Sequence, residues 1–439
     1  MTSAISVGDR RRATLERLRG DAPAAQETDR ARTLRRVALP PLRRIGARRQ
    51  EPAEQLGPAS ANYYGIIAVV AVFVMLGLVM VLSASAVTEA NQGNSPYGVF
   101  GRQAGWALIG LVGLVLAART PYRMWRRLVI PIGVLAVLAM AGPFAPGIGA
   151  TVNGARSWIR IGPLSVQPAE LLKLAIVLVA AELLTRRARD DADSRYTAYA
   201  VGVLAAGGAG LSLVQGDLGS AVVLCAIVLG VAWVAGVPFR LLAPIGFLAT
   251  SAGVLFVVSS QRRIDRFTAF LDVSEEKDHL AYQTYQGFLS MASGGLGGSG
   301  IGGSKGKLGY LPYAHSDFIF AVIADELGMI GTLAVVGGFI LLTYFGVQAA
   351  LAAPDRFGML LAGGITSWFA VQTIVNLGGV TGLMPVTGLT LPFFSAGGTS
   401  LLVSMLAVGV LLSVARRSVP AAAGATGPMR GGRAPAASA

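Results

Sequence analysis

Residues 63–85, YYGIIAVVAVFVMLGLVMVLSAS, run for 23 positions without a charged side chain. A helix of that length rises about 35 Å and matches the roughly 30 Å of hydrocarbon in a bilayer, which needs about 20 apolar residues to cross. The rest of the chain has the same character. Of 439 residues, 53% are hydrophobic and 14% are charged, against roughly 25% charged in an ordinary soluble domain. A water-facing exterior cannot be built from so few charges, so a soluble enzyme is excluded and the solvent is largely lipid.

Working outward from 63–85, ten apolar runs are long enough to cross. They lie near 63–85, 103–118, 127–145, 169–185, 197–214, 218–236, 241–260, 317–347, 357–378 and 397–415. The fold expected is an all-α integral membrane protein of ten transmembrane helices. Cytoplasmic loops collect Lys and Arg, and with the N-terminus inside, the inner loops hold Arg119, Arg123, Arg126, Arg127, Arg186, Arg187, Arg189, Arg195, Arg240, Arg356, Arg416 and Arg417. An even number of spans returns the C-terminus to the cytoplasm. The outer side then receives 86–102, 146–168, 261–316 and 379–396, of which 261–316 is a large extracytoplasmic loop between spans 7 and 8. Connections of that length are usually functional.

The formal charge is +14, distributed unevenly. Residues 1–60 hold 13 basic and 7 acidic side chains and lack an apolar period, so they are expected to form a disordered basic cytoplasmic tail. Residues 416–439 add four arginines in a second cytoplasmic tail. The membrane domain is therefore 61–415. Because the charges flank apolar spans and no basic groove interleaved with aromatics is visible, nucleic acid is not an expected partner. MTSAISVGDRRRATLERLRG has no apolar centre, so membrane insertion is expected to depend on the first internal span. Cys225 is the single cysteine. It excludes an intramolecular disulfide and a cysteine metal cluster.

Charged groups at membrane depth are costly and mark candidate sites. Glu170 and Lys173 in QPAELLKLAIVL are three apart on one helical face, where they could pair internally or snorkel to the interface. Asp217 in VQGDLGSAVV stands at the start of a span, either as a helix cap or as a polar group of the site. The third outer segment ends in eight glycines between Gly294 and Gly306, then His315 and Asp317 where an apolar helix begins. A glycine-rich backbone can turn its N–H groups towards an anion, although such stretches are often linkers. Asp317 could cap the helix, or act as a general base on a membrane-anchored anionic substrate. Arg262, Arg263, Arg266, Lys305 and Lys307 are the nearby cations; the acids Asp265, Asp272, Glu275, Glu276 and Asp278 could neutralise them. Gln372 and Asn376 are four apart on one face and could line a cavity. The apolar but helix-breaking run Gly388–Ser400, containing Ser395, reads as a re-entrant loop before span 10 beside a polar pocket.

NGARSWIRIGPLSVQPAELLKLA (153–175), YLPYAHSDFIFAVIADELG (310–328) and TGLMPVTGLTLPFFSAGGTSLL (381–402) together resemble the SEDS proteins of shape, elongation, division and sporulation, and within them the division branch. The resemblance covers about 61–415. It implies a peptidoglycan glycosyltransferase that polymerises lipid II into glycan at the outer face of the cytoplasmic membrane during cell division, at the septum. A class B penicillin-binding transpeptidase and other membrane proteins of the division machinery are the implied partners. The family's essential aspartate maps onto Asp317, and its Pro-Ala-Glu-x-x-Lys segment onto Pro168, Ala169, Glu170 and Lys173. The sequence departs from the family at Gly216, where a proline is usual, at Val273–Asp278 and at Ser304-Lys305-Gly306-Lys307.

In such a reaction a sugar hydroxyl attacks an anomeric carbon and a lipid diphosphate leaves. Asp317 is the catalytic candidate, as the base. Candidate substrate-binding residues are His315, Lys305, Lys307, Arg262, Arg263, Arg266, Glu170, Lys173, Asp217, Gln372, Asn376 and Ser395. A divalent cation, Mg or Mn, could share the work, but the sequence carries no dedicated metal motif. Ten spans with buried charges fit a lipid II flippase equally well, and a non-enzymatic division scaffold is a third reading. The outer-face concentration of polar residues and the lack of a visible inverted repeat favour the enzyme.

Overall fold

The computed structural model describes residues 60–152, 154–162, 164–189, 194–271, 273, 281–304, 306 and 311–417. Every predicted run is helical: α1 (Ala61–Asn91), α2 (Gly98–Arg119), α3 (Tyr122–Ala141), α4 (Pro168–Arg189), α5 (Ser194–Val214), α6 (Leu218–Val234), α7 (Phe239–Val258), α10 (Ile319–Leu351), α11 (Arg356–Val380) and α12 (Gly398–Ala415). Eight of the described helices are long and apolar enough to cross a membrane. α6 is apolar but shorter, at 17 residues. α4 is interrupted by Glu170, Lys173, Glu182 and its terminal arginines.

Burial separates a centre from a periphery. In the most apolar stretch of α12, 83% of residues are buried, against 6% in α7. α4, α6 and α11 join α12 in the centre, whereas α2, α3, α5 and α7 turn Leu108, Ile130, Tyr199 and Phe247 outward. An exterior of large apolar side chains is what lipid contact requires. The central packing is close. A Cβ at Gly409 of α12 would stand 2.4 Å from the Leu114 carbonyl of α2, the kind of small-residue contact that lets membrane helices approach.

Two features amend the all-α expectation. The outer segment 146–168 holds a three-stranded antiparallel sheet, β1 (Gly149–Val152), β2 (Ala155–Ile161) and β3 (Leu164–Val166), with Ile159 paired to both Gly149 and Val166. Its cause is local. ARSWIRI is rich in β-branched and aromatic residues, and Gly162 bends the chain with a φ of +59°. The long outer segment is not one loop either, for it contains α8 (Gln261–Leu271) and α9 (Tyr282–Gly294).

α10 is broken internally at Gly328, where φ is +65° and ψ −165°. The backbone groups released by the break are taken up by the glycine-rich stretch after α9. Ser299 N and Gly300 N donate to the carbonyls of Asp325 and Glu326, while Met329 N and Ile330 N donate to Gly295 and Leu296. The approach is so close that a Cβ at Gly298 would fall 2.2 Å from the Glu326 carbonyl oxygen. Gly294 and Gly298 therefore have a structural task against α10. Just before the break, Asp325 accepts from Ser293 Oγ at 2.8 Å and Ser290 Oγ at 3.2 Å, and Glu326 from Ser83 Oγ at 2.6 and 2.8 Å.

Candidate active site

Asp317 occupies the last turn before α10, beside the C-terminal end of α11 and the irregular chain that leads to α12. These elements flank a small, partly open recess walled by Asp317, Asn376, Gly379, Thr387, Gly388 and Leu389. Ser316 Oγ donates to Asp317 Oδ1 at 3.1 Å. Gly388 has a φ of +71°, and a Cβ there would lie 4.0 Å from Asp317 Oδ2. Burial is the main influence on the carboxyl and pushes its pKa up to about 6, with hydrogen bonds from Ser316 and Gln283 pulling the other way. Gln283 comes from α9 and also donates to the Pro312 carbonyl.

Two side chains one turn apart on α11 seat the irregular segment. Gln372 Nε2 donates to the Thr390 carbonyl at 2.8 Å, and Asn376 Nδ2 donates to the Leu389 carbonyl at 2.7 Å and the Asp317 carbonyl at 3.0 Å. The segment continues into the helix core. Phe393 and Phe394 are buried near Phe73, and Gly77 of α1 meets the Phe393 carbonyl closely enough that a Cβ would stand 2.3 Å away. Ser395 spends its hydroxyl accepting from Leu391 N at 2.8 Å, and its carbonyl accepts from Gln103.

Below this lies a buried polar network. Lys173 Nζ contacts Glu170 Oε1 at 2.8 Å and donates to Gln372 Oε1 at 3.0 Å, which also accepts from Trp368 Nε1. Both ions are essentially without solvent contact. Removing one partner of such a pair leaves an uncompensated buried charge, typically at about 3–5 kcal/mol, so the pair holds only as a unit. Gln372 belongs to this network and also to the wall of the irregular segment. It joins the ion pair to the neighbourhood of Asp317.

Asp217 is a helix cap. Its Oδ1 accepts from Ser220 N at 2.8 Å, and its Oδ2 from Ser220 Oγ and Gln167 Nε2. Gly216 before it has a φ of +82°, which a proline ring locked near −65° could not adopt. Arg263 is engaged locally. It donates to the Phe256 carbonyl at 2.7 Å and lies 3.7 Å over the Phe256 ring, tying α8 to the end of α7. The His315 carbonyl accepts from Ala396 N, and burial pushes its imidazole pKa down, against the pull of Glu89. Lys305, Lys307 and the side chains of Arg262 and Arg266 lie outside the described residues, as do the acids Asp272, Glu275, Glu276 and Asp278 and the tails 1–59 and 418–439. Among the described residues no three His, Cys, Asp or Glu side chains gather to hold a metal ion.

The opposite end of the bundle is cationic. Arg126 grips Glu182 through both carboxylate oxygens and Arg186 shares that carboxylate, while Asp355 caps α11 and accepts from Tyr122 and Arg123.

A family model described as FTSW_RODA_SPOVE, cell cycle protein, matches residues 64–419. The chain belongs to this family. The FtsW/RodA/SpoVE match takes in all the helices and the sheet described above. Among curated relatives, the probable peptidoglycan glycosyltransferase FtsW of Mycobacterium tuberculosis is 38% identical over 369 residues, covering 84% of this chain and 70% of the relative. Stage V sporulation protein E of Bacillus subtilis is 36% identical over 348 residues, covering 78% and 94%. Two solved structures share the fold. One, reported as structural coordination of polymerization and crosslinking by a peptidoglycan synthase complex, superposes with a TM-score of 0.65 at 31% identity, over 80% of this chain and 97% of that one. The other is the rod shape determining protein RodA of Thermus thermophilus, with a TM-score of 0.60 at 31% identity over 80% and 96%. This FtsW/RodA/SpoVE protein is thus a multi-pass membrane protein.

Sequence reasoning passed over Gln283, Gln103, Asp325 and Glu326. Only the last two carried a usable signal, as adjacent acids inside an apolar helix. The glutamines act through contacts between distant elements.

Proposed function

We propose that the chain is a peptidoglycan glycosyltransferase that polymerises lipid II, with Asp317 as the general base. The observation that carries this reading is a partly buried carboxylate with its pKa raised to about 6, in a recess at the end of the bundle opposite the arginine-rich one, in a chain whose curated relatives bear that activity in their names. The acceptor sugar hydroxyl gives its proton to Asp317 as its oxygen bonds the anomeric carbon of the donor, and the bond from that carbon to the lipid diphosphate breaks. A carboxyl that ionises near 6 is largely deprotonated at neutral pH yet basic enough to take a proton, and such a base contributes about 10²–10⁴-fold. The leaving diphosphate requires cations; Lys305, Lys307, Arg262 and Arg266 are the candidates in sequence.

The membrane domain crosses ten times, with α4 and α6 as central spans, and 381–397 re-enters from the outer side. Three features support this. The arginine-rich end bears the mark of a cytoplasmic face. α10 leaves Asp317 for that end and α11 returns. Ser60 Oγ, before α1, donates to the carbonyl of Ala415 at the end of α12, so the described chain begins and ends on one side. Both tails are then cytoplasmic. The resemblance to the synthase complex, which coordinates polymerization and crosslinking, supports a class B penicillin-binding transpeptidase as partner.

The test is polymerisation of purified lipid II in detergent, where transport across a membrane has no meaning, by the purified chain with its transpeptidase partner. Asp317→Asn is expected to lower the rate by about 10²–10⁴-fold while the protein stays folded. Wild-type rates from this variant would remove Asp317 as the base. Absence of polymer from the wild type with the partner bound would revive the flippase or the scaffold.

A further inference from the structure

The wall of the recess beside Asp317 includes Asn376, whose buried amide oxygen has no donor among the described residues. Asn376 is 4% exposed, and both protons of its Nδ2 are committed, one to the Asp317 carbonyl and one to the Leu389 carbonyl. Two carbonyl oxygens can be met only by an N–H₂ group, so the orientation of the amide is chemically determined and Oδ1 is the remaining acceptor. Among the described residues no donor reaches Oδ1, although it is buried and Asn376 forms part of the recess wall. A buried acceptor left without a donor is expensive, and such atoms in native structures call for an explanation.

We infer that Asn376 Oδ1 accepts a hydrogen bond from the sugar whose hydroxyl faces Asp317, so that one amide both positions the base and selects the substrate. This rests on the glycosyltransferase reading. The donor class is a ring hydroxyl or the amide N–H of the acceptor sugar, both of which an N-acetylated sugar presents. Because Nδ2 grips the main chain of Asp317 itself, a sugar held by Oδ1 is placed in register with the carboxylate. A site built around a hydrogen bond to substrate rejects analogues lacking the donor, because its own polar group is then left unpaired.

The test is a cycle between protein and substrate, run with the full chain and its transpeptidase partner. Polymerisation is measured with lipid II, with an analogue whose sugar amide N–H is replaced by an ester oxygen, and with one lacking the hydroxyl next to the attacking one. The wild type is expected to disfavour one analogue by about tenfold in kcat/KM, and that analogue names the donor. Asn376→Ala is expected to lose the preference and use both substrates equally. Asn376→Asp keeps an acceptor at Oδ1 but loses the grip on the two carbonyls, so it should retain the preference while kcat falls. A preference undiminished in Asn376→Ala, or absent from the wild type, overturns the inference. If Asn376→Ala does not fold, loss of the preference in Asn376→Asp overturns it instead. Failure of the wild type to polymerise lipid II at all would be a failure of the underlying reading.

Discussion

At the scale of single residues, the proposed base is tuned by opposing influences. Burial in the turn before α10 raises Asp317, and hydrogen bonds from Ser316 and from Gln283 of α9 hold it back. A base must be unprotonated to act, so kcat should climb with pH through about 6 and then level off. A pH–rate profile checks this, and activity that stays flat down to pH 4 would exclude Asp317 as the titrating base. Gln283→Leu removes one of the restraining bonds and should move the same inflection upward. Asp317 was legible in the sequence as a candidate, from its place beside His315 at the head of an apolar helix. Its meeting with Asn376 was not, because 59 residues and a chain reversal separate them. Periodicity reports which side chains share a face of one helix. It is silent on which carbonyl a side chain finds across an interface.

At the scale of elements, the break in α10 and the strap over it form one unit. The signal in the sequence was a run of glycines, which reads equally well as an anion cradle or a linker; the structure gives Gly298 a φ of +80° and presses it against the Glu326 carbonyl. Gly298→Ala is expected to destabilise the protein by about 1–3 kcal/mol through backbone strain, seen as a lower melting temperature in detergent. Gly297→Ala, whose Cβ would meet nothing within 4 Å, serves as the control and should melt as the wild type does. Equal melting of the two variants would mean that the strap yields freely. The sheet of 149–166 escaped notice for a different reason. A search for apolar runs of twenty is blind to strands of four, seven and three residues.

At the scale of the whole molecule, hydropathy carried most of the helical architecture, since lipid imposes the same demand on every span. α4 was the hardest of the helices to judge by apolarity, because its ion pair is tolerated only where Gln372 and Trp368 receive it. The orientation has a direct check. In a chain with Cys225→Ser, a cysteine replacing exposed Ser95 between α1 and α2 should react with a membrane-impermeant maleimide on intact cells. One replacing exposed Pro354, between α10 and α11, should react only after permeabilisation. The reverse pattern would invert the topology and put Asp317 on the wrong side for lipid II polymerisation.

The interruption at Gly328 also bears on membrane thickness. As a continuous rod, the 33 residues of α10 would measure about 50 Å, far beyond the roughly 30 Å that hydrocarbon can cover. Divided at Gly328, the helix leaves residues 329–351, about 35 Å, to match the lipid. The nine residues from Ile319 to Leu327 are tied to α9 and its strap. A bilayer that thickens or thins with its acyl chains therefore presses on the longer portion, while the turn bearing Asp317 keeps its register with α11. Hydrophobic mismatch is absorbed on one side of a glycine, and the geometry around Asp317 is kept on the other.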